Sequence, residues 1–219
     1  MSQGFTVVEA ILTLSLFGFF MFAVFLVFQL GTQHFQLATL RQGLQLGATR
    51  VMLPLETDLR RTVSNSLLIL NDASRRARFE GRSYRRDVVC LGSLRNWNAG
   101  ASYDAATGAP LWDCYAIYYA TREIPYGKLV REHVNVATGT ARTPWVGLNP
   151  ALHLNDDPTF NRLDQKILSP DVLEFAVTPS QGTYRIQLKL RGRAAGRDGA
   201  PGSQEIFEVD RLIKAENNL

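Results

Sequence analysis

The chain is predicted to be an α+β protein. One long N-terminal helix crosses a membrane with its first half and packs with its second half on a mainly antiparallel β-sheet domain. Three observations predict this. Residues 10–30 carry no charge. An apolar stripe then continues at helical spacing as far as Leu59. Beyond residue 172 apolar and polar residues alternate with the period of two of half-buried strands.

The uncharged run is 21 residues long. At about 1.5 Å per residue it spans about 30 Å, the thickness of a bilayer's hydrocarbon core. It is rich in Phe and Leu and holds no proline. A cleaved secretory signal is the competing reading. The first four residues lack Lys and Arg, the run exceeds the roughly 7–15 residues such a signal needs, and residues 30–34 make a poor cleavage site. Past Leu30 the stripe runs through Leu37, Leu40, Leu44, Val51, Leu55 and Leu59. Helix is predicted to about Ser64, with Pro54 kinking it or starting a new one. This divides the chain into a membrane half of the helix (5–30), an outer half (31–64) and a β-rich outer domain (65–219).

In that domain a short strand is predicted at 87–91. Residues 115–120 and 129–134 flank Pro125-Tyr126-Gly127 as a hairpin. Residues 173–177 and 184–191 alternate on either side of a turn at 179–182, and a last strand covers about 205–214. The Gly-, Ala- and Asn-rich segment 93–113 reads as a long loop.

Glu9 breaks the apolar pattern. It lies directly before the uncharged run, with Phe5, Val7 and Val8 on its other side. A carboxylate inside a membrane costs about 2–4 kcal/mol unless paired or protonated; solvated at headgroup level it costs little. The sequence Gly4-Phe5-Thr6-Val7-Val8-Glu9, followed by a long apolar helix, resembles the class III signal of type IV pilins and type II secretion pseudopilins. The resemblance implies that a prepilin peptidase removes residues 1–4 by cutting between Gly4 and Phe5. It implies that Phe5 is then N-methylated, and that Glu9 meets the terminal amine of a neighbouring subunit during assembly. It also implies the pilin lollipop shape and a single-pass inner-membrane protein whose domain lies in the periplasm. Its partners would be other pilins or pseudopilins through the N-terminal helix, the peptidase and the inner-membrane assembly platform. Family leaders usually carry Lys or Arg before the glycine. Residues 1–4 carry neither, so basic flanks give orientation little support.

Three further features resemble the larger subunits, the J-type pseudopilin or W-type minor pilin. They are Asp58-Leu59-Arg60 at the helix end, a Tyr-Tyr strand followed by a turn and Leu129 to Glu132, and the set Leu168, Ser169, Val172 and Phe175. The implied function is a minor subunit that initiates or caps a type IV pilus. The alternatives are a J-type pseudopilin of a type II secretion tip complex, or a tip module for adhesion or DNA uptake.

Chemistry-bearing motifs are sparse. GxSxG, Walker, HExxH and CxxC patterns are absent, and the three histidines are scattered. Asp156, Asp157 and Asp164 lack the spacing of an EF-hand. No catalytic residue, metal or cofactor is expected, and the role is structural rather than enzymatic. Two cysteines, Cys90 and Cys114, in an oxidising compartment are predicted to be bridged; two buried thiols are the alternative. Nine arginines against three acids between residues 60 and 95 give a basic segment. Arg75, Arg76, Arg78, Arg82, Arg85 and Arg86 are its candidate contact face, for an acidic subunit or for DNA phosphates without sequence selectivity. The bland reading is a solvated face in a chain with 20 Arg and 4 Lys.

Overall fold

The computed structural model describes residues 6–62, 66–106, 108, 110–135, 150–157, 164–180, 182–193 and 204–214. Helix α1 runs from Val7 to Arg61, 55 residues or about 80 Å. Its large apolar side chains between Val7 and Leu30 are 42% to 75% exposed. A core helix of a soluble domain would bury such a surface. Among the described residues α1 is the one helix long and apolar enough to cross a membrane. Leu40 is the first helix residue packed on the core, and Leu44, Ala48, Val51, Met52, Leu55 and Leu59 follow on one face.

Of the two readings of Pro54, a kink or a new helix, the second is excluded, and the end of the helix is corrected. It ends at Arg61 rather than Ser64, with Thr62 extended and its N–H donating to the Asp58 carbonyl at 3.0 Å. It also continues through Pro54 without a break. Proline removes one backbone bond and costs about 3 kcal/mol in a helix interior. Val51, Met52 and Leu55, all at most 4% exposed, flank it on both sides. Their burial, about 1.5–3 kcal/mol each, outweighs that loss.

The domain strands are β1 (Leu67–Leu70), β2 (Ala77–Phe79), β3 (Arg82–Tyr84), β4 (Val88–Ser93), β5 (Cys114–Ala120), β6 (Gly127–Asn135), β7 (Gln165–Ser180), β8 (Thr183–Arg193) and β9 (Gln204–Lys214). Seven form one antiparallel sheet in the order β1-β4-β5-β6-β7-β8-β9, and β2 and β3 form a separate hairpin. The result is the α+β lollipop. The β5–β6 hairpin, the alternating β7–β8 pair and the last strand β9 fall where the sequence predicts them. β1 and the β2–β3 hairpin were not predicted. The hairpin closes on Glu80-Gly81, both at positive φ, as a two-residue turn of its twist requires.

The sheet has two covered faces. Leu91, Ala116, Tyr118, Leu129, Phe175, Ile186 and Leu188 meet α1 in the main core. Val88, Cys90, Tyr115, Ile117, Tyr119 and Val130 form a second cluster on the other face, with Leu154 from the segment after the short Pro150–His153 turn.

Candidate functional site

The start of α1 is built by Thr6 and Glu9. Thr6 donates its backbone N–H and its hydroxyl to Glu9 Oε2, each at 3.0 Å, and Thr6 Oγ1 accepts from the Glu9 N–H at 3.4 Å. This is a capping box, which satisfies helix donors that have no intrahelical partner. The spacing Thr-x-x-Glu is the sequence signal for it, and the sequence reading did not use it. Gly4 and Phe5 lie outside the described residues.

At the other end α1 is tied to the sheet. Asp58, 6% exposed, accepts from the Tyr118 hydroxyl at 2.5 Å and from Arg131 Nη2 at 2.7 Å. Burial, and next the Asp58 charge, push the Tyr118 phenol well above its usual range, so it stays a donor. Arg211 donates to Glu56 at 2.8 Å, and Arg41 pairs with Glu205. Sequence reasoning missed this network. Its signal is an acid at position 58, on the same side of the helix as Val51 and Leu55.

The six predicted contact arginines do not form one exposed face. Arg75 and Arg86 are only 2% and 1% exposed. Arg75 Nη1 donates to Asp156 and to the Ala120 carbonyl, both at 2.9 Å. Arg86 uses all five of its N–H donors on backbone carbonyls: Leu173 (3.4 Å), Thr121 (2.8 Å), Glu123 (2.7 Å), Pro125 (2.9 Å) and Val172 (3.0 Å). Those carbonyls belong to the β5–β6 turn and to an irregular stretch of β7, where the ladder leaves acceptors unpaired. Burial pulls the Arg86 guanidinium down to about 10, which leaves it charged at neutral pH. Arg85 donates to Asp87 at 2.7 Å. Arg76, Arg78 and Arg82 alone of the six are exposed.

The expected Cys90–Cys114 bridge is also corrected. Both thiols are buried and free. In the β4–β5 register Cys90 stands opposite Ile117, and Cys114 opposite Ser93. The two are three positions apart along the ladder, and that odd offset places their side chains on opposite faces of the sheet. No disulfide spans that separation. Burial pushes the Cys90 thiol up strongly; burial and then Asp113 push Cys114 up to about 12.

No protein-family model matches this chain, and no curated protein or solved structure is detectably similar to it.

Among the described residues no group of three His, Cys, Asp or Glu side chains is placed to hold a metal ion. Asp156 is held by Arg75 and Arg122, and Asp164 pairs with Arg95 at 3.5 Å. A cleft of about 1180 Å³ lies instead between α1 and β6–β7. It holds Arg50 and Arg61 from the helix, Arg131 and Lys166 from the strands, and Arg95 and Trp97 from the loop after β4.

Proposed function

We propose that the chain is a membrane-anchored minor pilin, a structural subunit that is processed at Gly4-Phe5 and takes part in initiating or capping a type IV pilus. The observation that carries this reading is the motif Gly4-Phe5…Glu9 at the head of an uncharged helix that is continuous with the domain core. A secretory signal would be cut from the mature chain. Here the apolar run and the residues that fill the core, Leu44 to Leu59, belong to one unbroken helix. Such a helix couples a membrane anchor mechanically to the outer domain. The exposed apolar surface before Leu30 needs lipid or other helices to cover it. Glu9 stands on the first turn of α1, four positions after Phe5 in the sequence, and a processed chain carries its ammonium at Phe5. An anion and a cation in low dielectric attract strongly, which suits a contact made between subunits as they leave the bilayer.

The test is made in a host with prepilin peptidase. The N-terminal peptide of the mature protein should begin at methylated Phe5, and sheared filaments should contain the chain at a low ratio to the main subunit. Retention of residues 1–4 would remove the processing claim and the reading with it.

A further inference from the structure

We propose that the cleft between α1 and β6–β7 docks an acidic, amphipathic peptide segment of a different protein. Three elements converge there. Arg50, Leu53, Thr57 and Arg61 recur along one side of α1, β6–β7 pairing sets Arg131 opposite Lys166, and the loop after β4 closes the rim. Five cations, Arg50, Arg61, Arg95, Arg131 and Lys166, face two carboxylates, Asp58 and Asp164. Both carboxylates are already taken, by Arg131 at 2.7 Å and by Arg95 at 3.5 Å. Among the described residues the side chains of exposed Arg50 and Lys166 have no ion-pair partner. Burial, and next Arg131, hold His133 in the same cleft below its usual range, so it adds no compensating or further charge at neutral pH.

The charge excess selects a carboxylate-bearing ligand, since guanidinium forks match carboxylates in pairs. Apolar Leu53 and Ile167 line the cleft together with the cations, and Leu53 is 66% exposed. That mixture fits a peptide with apolar side chains among its acids. It fits nucleic acid poorly, because base stacking needs an open aromatic face. Arg61 covers the Trp97 ring at 5.0 Å, and Trp112 meets it edge-on at 6.0 Å. A second copy is a poor occupant too. Its net charge opposes self-association, at a formal +4 per copy, and the acids along its β8–β9 edge and α1, Glu56, Glu205, Glu208 and Asp210, are paired with its own cations.

The experiment uses the full chain in detergent micelles. Fluorescence anisotropy measures binding of a labelled peptide of repeated Glu-Glu-Leu, its Gln-Gln-Leu analogue and an oligo-dT strand. The Glu peptide should bind, more weakly as salt rises through about 0.2 M, and the Gln analogue should not. Arg50→Glu/Lys166→Glu should weaken binding about tenfold or more. Arg76→Glu/Arg82→Glu makes the same change in net charge on an exposed surface away from the cleft and should stay within about twofold. Near-ultraviolet circular dichroism of both double variants should match the parent. Equal loss in the two doubles, tighter binding of oligo-dT than of the peptide, or no peptide binding would each overturn the assignment. Filament incorporation plays no part in this readout, so it stands or falls separately from the pilin reading.

Discussion

Replacing Arg86 by Leu should destabilise the outer domain by about 3–5 kcal/mol, the range for breaking a buried charged network. The structure supplies the magnitude. Four of the five carbonyl contacts are 3.0 Å or shorter, and hydrogen bonds to charged groups contribute about 1.5–3 kcal/mol each. Against that gain stands the cost of burying a guanidinium that has no ion-pair partner among the described residues, several kcal/mol. The difference is a net stabilisation of a few kcal/mol, and Leu cannot replace any of the donors. Arg86→Lys should fall between, because an ammonium has three donors and no fork. At about 2–4 °C per kcal/mol, the Leu variant should lower the apparent Tm by about 10 °C. The assay is thermal unfolding of the full chain in detergent, followed by tryptophan fluorescence. The loss should be flat between about pH 5 and 9, since the guanidinium is charged throughout. Arg82→Leu, on the exposed hairpin, should change stability by less than about 0.5 kcal/mol. A loss under about 1 kcal/mol for Arg86→Leu would refute this reasoning and return Arg86 to the surface.

Three further outcomes follow from named contacts. Alkylation of the denatured chain under non-reducing conditions should modify both Cys90 and Cys114, and the folded chain should react slowly because both thiols are buried; a mass two hydrogens lower, with no alkylation, would contradict the β4–β5 register. Asp58→Asn should cost about 1–3 kcal/mol by weakening the Tyr118 and Arg131 bonds, and Tyr118→Phe about 1 kcal/mol, both read by urea denaturation; no change in either would mean that α1 is held by apolar packing alone. Glu9→Gln should leave domain stability and cleavage unchanged but lower the ratio of subunit in sheared filaments to subunit in the membrane by about tenfold, which corresponds to about 1.4 kcal/mol; because Gln retains an acceptor for Thr6, normal incorporation would show that Glu9 acts only as a helix cap.

The sequence by itself determined the long helix, its apolar half and the alternating strands β7 and β8. Each rests on a period of 3.6 or 2 sustained over many residues, which hydrophobic burial alone enforces. It also held the Thr6–Glu9 cap, because that contact is local. What it could not determine was the destination of the arginines and the cysteines. Arg75 and Arg86 look like any surface cation until the β5–β6 turn and β7 bring unpaired carbonyls and Asp156 beside them. An even cysteine count says nothing of register, and one position of offset moves a thiol from one face of a sheet to the other. Strand β1 and the Glu80-Gly81 hairpin are too short to show a period. The cleft is the same case on a larger scale. Arg50, Arg95, Arg131 and Lys166 are scattered over more than a hundred residues. Only the docking of α1 across β6 and β7 makes them neighbours, because charge adds up in space and not along the chain.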